Sequence, residues 1–312
     1  MKYKLLILLF GYFLFTSSTC EKPFDIDTSE TAKLALNSIF TPGKPMTVSL
    51  SASRPIISAD ARALSGETVE VTTPSGEIIS LQLKTDDMLN KWFVDSTFFP
   101  EVGVNYVINA SANAVEPIIS NNIIPESVGI LNPSFDSILV ETSQFKLGQK
   151  DIYINVEFQL EDIPGDQFYH FYAYRQRILW ADSTGVPEYT FLNSFLINDL
   201  INLDNSTGLG STGLVYTDNS LLFKDDESVA SNIVSFDIGF TFPHTKEAIR
   251  NFRFELRTVS EEYYKFHIAK RKQELVQNDE FAEPIISFSN IEGGLGLFGG
   301  YNSVQIDTIR LQ

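Results

Sequence analysis

Few residues in this chain have types and spacings that could do chemistry, and the nearest match lies close to the C-terminus. Gly294, Gly296 and Gly299 satisfy Gly-x-Gly-x-x-Gly within GLGLFG. That spacing cradles a dinucleotide pyrophosphate when a helix follows the glycines and an acidic residue lies about twenty positions on. Only thirteen residues follow Gly299, and they read as a strand (SVQIDTIRL). The nucleotide reading is therefore rejected. The segment Gly293, Gly294, Gly296, Phe298, Gly299, Gly300 and Tyr301 reads instead as a loop whose backbone packs closely, either internally or against a partner.

His170, His244 and His267 sit on separate elements beside Tyr169, Phe242 and Phe266. No His-x-x-x-His pair exists to hold a metal. Residue types alone leave a Ser–His–Asp triad open, but no Gly-x-Ser-x-Gly elbow accompanies it, so the histidines read as structural. Asp25/Asp27, Asp86/Asp87, Asp225/Asp226/Glu227 and Asp279/Glu280 could serve glycoside hydrolysis or bind calcium. No calcium-loop pattern appears, and among 40 acidic residues such groups arise by chance as solvated surface. The aromatic run Phe168, Tyr169, His170, Phe171, Tyr172, Tyr174 must send about half its members to a core. Tyr169, Tyr172 and Tyr174 are the candidates for an aromatic binding surface. Asp95-Ser96-Thr97, Asp136-Ser137-Ile138, Asp182-Ser183-Thr184 and Asp307-Thr308-Ile309 resemble the O-glycosylation acceptor of Bacteroidota envelope proteins.

Cys20 is the one cysteine, which excludes an internal disulfide, a Cys-rich zinc site and a CxxC pair. Its address is informative. Lys2 and Lys4 precede an apolar stretch from Leu5 to Phe15, and small residues from Thr16 to Thr19 lead to Cys20. This is the layout of a secretory signal over residues 1–19 with a lipobox, although Ser17 stands where Leu is commoner. The apolar stretch is shorter than the ~20 residues a bilayer span needs. The expected product begins at a lipidated Cys20, followed by an acidic tether over 20–33. Losing two lysines takes the formal charge from −17 to −19. The excess of acid argues against nucleic acid, whose phosphates require Lys and Arg.

These groups must be positioned by a chain of 312 residues, enough for one large core or two ordinary ones. From Leu34 to Ile124, short alternating runs such as MTVSLSA, ETVEVTT and VNYVINASA are broken by turn residues. They predict an immunoglobulin-like β-sandwich over 34–124. Pro125, Gly129 and Pro133 mark a linker over 125–134. A second, larger antiparallel β domain is expected over 135–312. Its runs include DIYINVEFQL and NFRFELRTV, the latter with one apolar and one charged face. FLNSFLINDLINL has helical spacing, with a strand as the alternative. A helix is expected near 260–277, capped by Thr258 or Ser260, with Glu261 and Glu262 in its first turn.

SEEYYKFHIAKRKQEL, DEFAEP and SNIEGGLGLFGGY resemble the closing region of the domain-of-unknown-function 4249 family of Bacteroidota outer-membrane lipoproteins. The opening cysteine and acidic tether, LALNSIFTPGKPMTVSLSASRPI, ETVEVTTPSGEIISLQL and WFVDSTFFPEVGVNYVINASA extend the resemblance over nearly the whole mature chain. The family has no assigned catalytic residues, so none carries over. The resemblance implies an outer-membrane setting, facing the cell exterior, often beside a TonB-dependent transporter. The expected function is a non-enzymatic accessory or ligand-capture subunit of an outer-membrane β-barrel, in a hetero-complex. It would need no cofactor beyond the covalent lipid on Cys20. The alternatives are a structural subunit of an insertion or secretion machine and a surface hydrolase.

Overall fold

The computed structural model describes residues 32–53, 64–87, 90–135, 139–142, 150–161, 165–179, 188–193, 196–197, 203–204, 209–210, 215–217, 220–225, 233–242, 247–276 and 287–310. Cys20 and the tether before Ala32 lie outside them, as does His244. The fold is mainly β. The first part of the chain carries β1 (Leu34–Phe40), β2 (Thr47–Ala52), β3 (Thr68–Thr72), β4 (Ile78–Ser80), β5 (Gln82–Thr85), β6 (Lys91–Val94), β7 (Asn105–Ala112) and β8 (Val115–Ile123). Next come β9 (Ile130–Ser134), β10 (Leu139–Thr142), β11 (Lys150–Leu160), β12 (Gln167–Leu179), β13 (Glu188–Asn193) and β14 (Leu196–Ile197). The remainder is β15 (Leu203–Asp204), β16 (Leu209–Gly210), β17 (Val215–Thr217), β18 (Ser220–Asp225), β19 (Ile233–Phe242), β20 (Glu247–Val259), helix α1 (Glu261–Val276) and β21 (Leu295–Arg310).

The first eight strands form two facing sheets, β1-β2-β6-β5 and β4-β3-β7-β8. This is the A-B-E-D and C′-C-F-G order of an immunoglobulin-like sandwich. Period-two alternation builds its core. Leu34, Leu36 and Phe40 of β1 point inward with Val48, Val69, Val71, Tyr106 and Ile108, while Asn37 faces solvent. Tyr106 stands near the start of β7, and its hydroxyl accepts the Glu101 N–H at 2.9 Å. A tyrosine tying its strand to the preceding corner is a hallmark of this architecture. The β3–β4 turn closes with the Gly76 N–H on the Thr73 carbonyl at 2.9 Å, and Gly76 takes φ +86°.

In the second part, β10-β11-β19-β14, with β9 beside β11, form one sheet; β17-β18-β12-β20-β21, with β13 beside β12, form another. Ile154, Val156, Phe158 and Leu160 of β11 are buried, as are Tyr169, Phe171 and Ala173 of β12 and Phe252, Phe254 and Leu256 of β20. Phe158 stacks on Phe171 at 6.0 Å and Phe171 on Phe254 at 5.8 Å between ring centroids. FLNSFLINDLINL is a strand where it is described: β13 pairs with β12 from Tyr174↔Asn193 to Leu179↔Glu188, and β14 with β19. A waiting sheet edge offers the backbone a ladder that its helical spacing could not foresee. Residues 198–202 lie outside the described set.

β21 joins the two parts. Its first half runs parallel to β1, from Ala35↔Leu295 to Phe40↔Gly300. Its second half runs antiparallel to β20, from Val259↔Tyr301 to Asn251↔Arg310. One continuous sheet therefore passes from β17 through β20, β21 and β1 to β5. Alternation on β21 sends Phe298 into the first core, while Leu297 and Tyr301 pack beneath α1. The helix is capped by Ser260, whose hydroxyl accepts the Tyr263 N–H at 3.3 Å, with Glu261 and Glu262 in its first turn. Its buried residue is Tyr263, and Leu275 is 39% exposed. The seam is thus set by the first turn lying on β21 rather than by a stripe along the whole helix.

Candidate functional site

The glycine-rich segment is packed against the chain itself. Gly296 takes φ +110°, and a Cβ there would strike the Leu36 carbonyl across the parallel β1–β21 pair. A Cβ on Gly300 would strike the Ile123 carbonyl, and one on Gly299 would lie 3.2 Å from the Tyr263 Cβ. Gly293 and Gly294 abut Pro117 and Ile118. Phe298 is fully buried and stacks on Phe40 at 4.6 Å. The Asn290 side chain brackets it, accepting the Phe298 N–H at 3.0 Å and donating to the Phe298 carbonyl at 2.7 Å. Asn122 does the same work one step along: its Oδ1 accepts the Gly300 N–H at 3.0 Å and its Nδ2 donates to Glu262 at 2.8 Å.

Tyr301 ends this segment and meets the aromatic run, so the structure brings two separately flagged groups together. The Arg257 guanidinium lies 4.0 Å from the Tyr172 ring centroid and 4.5 Å from that of Tyr301. Its Nε donates to Glu255 Oε1 at 2.7 Å, and Tyr174 donates to Glu255 Oε2 at 3.1 Å. Burial works against the Arg257 charge, but the hydrogen bond and charge of Glu255 together with Tyr172 and Tyr263 outweigh it and keep the group protonated. Burial, reinforced by Glu255, pushes the Tyr174 hydroxyl up to about 12. Tyr172 and Tyr174 are half-buried and stack at 6.1 Å. Tyr169 points the other way: it is fully buried against Phe223, which removes it from the candidate surface. Adjacent strand residues face opposite sides, so Tyr169 could not share a face with Tyr172 and Tyr174.

Behind this face lies His170, 1% exposed. Its Nε2 is 2.6 Å from Ser220 Oγ, and its Nδ1 is 2.8 Å from the Tyr263 hydroxyl and 3.2 Å from that of Tyr172. Burial, then His267 and Arg257, hold its pKa well below the usual value, so the ring is neutral. Ser220 and His170 make a serine–histidine pair, yet Ser220 is 0% exposed and the far nitrogen meets tyrosines rather than a carboxylate. In this arrangement the pair is closed to solvent and to any ligand outside it. Among the described residues no three His, Cys, Asp or Glu side chains converge on a metal position, and no helix is long and apolar enough to cross a membrane. Of the acidic pairs, Asp86 takes both the backbone N–H and the side-chain amide of Asn90 at 2.8 Å, closing a turn.

An open concavity sits on the first sandwich, where the β3–β4 turn meets the 95–104 loop. It has a volume of about 640 Å³ and is lined by Phe98, Phe99 and Tyr106 together with Glu77, Asp95 and Glu101. Phe99 is 48% exposed, and Phe98 packs edge-on to Tyr106 at 5.6 Å. Asp95 accepts the Thr97 hydroxyl at 2.7 Å and the Thr97 N–H at 2.8 Å, which holds its carboxyl below 3.8. Asp95-Ser96-Thr97 is thus an exposed turn at the rim; Asp136-Ser137-Ile138 and Asp182-Ser183-Thr184 lie outside the described residues. Thr47↔Val94 and Thr72↔Val107 place the concavity at the β1–β2 turn end of the sandwich. Leu34, at the start of β1, pairs with Ala52 at the opposite end, roughly 20 Å away for a seven-residue strand. The sequence signal for this site was the aromatic and acidic density of FFPEVGVNY, which alternation alone assigned to a strand and its loop.

No curated protein matches the sequence. Solved structures resemble it loosely. A DUF4785 family protein from Legionella pneumophila subsp. pneumophila str. Philadelphia 1 is 11% identical over 73% of this chain and 54% of its own, with a TM-score of 0.24. Trypsin-activated alpha-2-macroglobulin from Escherichia coli is 8% identical over 75% of this chain and 15% of its own, with a TM-score of 0.23. The chain therefore spans about half the length of the first and a small part of the second. A family match is extensive where these are not: residues 21–307 fit the domain of unknown function DUF4249 from just after Cys20 into the last strand, and the chain belongs to that family.

Proposed function

We propose that the protein is a surface-facing outer-membrane lipoprotein, anchored through Cys20, that serves as a non-enzymatic accessory or ligand-capture subunit of an outer-membrane β-barrel such as a TonB-dependent transporter. The observation that carries this reading is the position of the only cysteine, directly after a basic, apolar and small-residue leader. Stable anchoring takes a second contact besides the acyl chains, and docking on a barrel supplies it. The capture role is supported by the aromatic-lined concavity at the end of the first sandwich remote from the tether. The closed Ser220–His170 pair supports a non-enzymatic role over a surface hydrolase.

Affinity purification of the intact protein from native envelopes in mild detergent, followed by mass spectrometry, tests the partner. Recovery of a TonB-dependent barrel is the expected result; recovery of an insertion or secretion barrel favours a machine subunit, and recovery of the protein alone sinks the complex. Palmitate labelling tests the anchor: Cys20→Ala must lose the label and the membrane association.

A further inference from the structure

The cluster around His170 has a use that the proposed function does not absorb. His170 projects from β12 into a space walled by four other elements. α1 contributes Tyr263 and His267, whose rings lie 5.7 and 5.4 Å from the His170 ring. β18 contributes Ser220, β20 contributes Arg257 with Glu255, and β21 contributes Tyr301, which packs 6.5 Å from Tyr263. On its own strand His170 neighbours Tyr172 at 4.3 Å between ring centroids. The space holds three groups that are or can become cations, His170, His267 and Arg257. Glu255 is the carboxylate of the cluster, and Arg257 and Tyr174 already occupy its two oxygens. A proton added to His170 therefore meets a fixed positive charge and, among the described residues, no uncommitted counter-charge, in a place from which water is excluded.

The relief available is local. α1 has sixteen residues, near the length at which an isolated helix is marginal in water. Its buried anchor is Tyr263, whose hydroxyl is itself a partner of His170. Among its other ties are the Ser260 N–H on the Gly300 carbonyl, Asn122 on Glu262, Phe168 against Tyr264 at 5.0 Å, and the packing of Phe266 and Ile268 on the apolar cluster beneath. Lifting the helix admits water to His170 and leaves both sandwich cores closed. It also uncovers Leu222, Val259, Leu297 and Tyr301, the apolar patch beneath. We propose that α1 is a proton-sensitive clasp: protonation of His170 releases the helix from the β12–β20–β21 face and exposes that patch.

The sign follows from the direction of the His170 shift. The folded-state pKa lies below the ordinary 6.5, so the released state binds the proton more readily. Docking is fully favourable above about 6.5 and weakens as pH falls below it. With one proton linked, opening of the helix gains up to about tenfold per pH unit in that range. Hydrogen exchange of the full-length protein between pH 7.5 and 5.0, corrected for intrinsic rates, tests this. The amides of 261–276 are expected to lose protection while those of β3 and β7 keep theirs. In His170→Gln, which keeps hydrogen bonding but cannot titrate there, the pH dependence of 261–276 is expected to vanish. NMR titration of the wild-type histidine ring signals guards against a misfolded variant, because His170 protonation and helix opening must share one midpoint. A helix that stays protected at pH 5.0, a loss of protection that persists in His170→Gln, or two separate midpoints would each overturn the proposal.

Discussion

The two sandwiches are built from the same alternation but hold together by different physics. The first has a core of Leu34, Leu36, Val48, Val69, Val71 and Ile108, and its buried polar side chains, Ser38, Ser120 and Asn122, carry no titratable group. The second is apolar on the β11-facing side of β12, yet packs a histidine, an arginine, a glutamate and several tyrosines on the other side, under α1. A core of the first kind is stabilised by excluded water and volume. A layer of the second kind is stabilised only while each polar group keeps its partner and its charge state. The same chain thus carries one unit indifferent to mild acid and one face that is not. Asp95 makes the contrast explicit. Its carboxyl is held below the ordinary carboxylate value by Thr97, so what it contributes is lost only as pH falls below that value, whereas the His170 face begins to respond as pH falls below the ordinary histidine value.

That comparison can be broken first at the seam. Gly296→Val places side-chain atoms where the Leu36 carbonyl lies, at a φ that branched residues avoid, and is expected to cost more than about 4 kcal/mol. Denaturant unfolding followed by hydrogen exchange should show both sandwiches failing together; loss confined to one would mean that β21 is not their common support. Phe298→Ala is next, at about 3–5 kcal/mol, because it empties the stack on Phe40. Its effect should fall on the first sandwich more than on α1, and equal loss of protection in the two would contradict the split of alternate β21 side chains between them.

Asn122→Ala removes one residue that serves both units. Asn122 is 4% exposed, and its loss strands the Gly300 N–H, with an expected cost of about 1–3 kcal/mol. Earlier fraying of α1 relative to the wild type, read by exchange of the Glu262 region, is the accompanying sign. Tyr106→Phe is the smallest, about 0.5–1.5 kcal/mol, since it deletes the bond to Glu101 and keeps the ring. It should lower the first sandwich alone and leave the pH response of α1 as it was.

Much of this was legible in the sequence where the signal is local. NFRFELRTV announced its two faces, and β20 puts Phe252, Phe254 and Leu256 in the core with Arg253, Glu255 and Arg257 opposite. The expected helix near 260–277 is Glu261–Val276, because capping and charge order depend only on neighbours. What distant segments decide was not legible. Nothing near Leu295 says that it will run parallel to Ala35, and nothing near His170 says that Tyr263 and Ser220 will close on it. FLNSFLINDLINL stayed open between helix and strand for the same reason, since the strand character of its described residues belongs to the edges they meet. The glycines were flagged by their own type, but the carbonyls they make room for, at Leu36 and Ile123, lie far back in the chain.

The pairing of β1 with β21 also sets a schedule. Ala35 waits for Leu295, and Phe40 finds Phe298 only after the whole stretch between them has been made. Such long-range closure is slow, and an emerging chain cannot complete it early. The first sandwich therefore stays open along one side, and its chain threadable, until β21 arrives between β1 and β20 and locks both units at once.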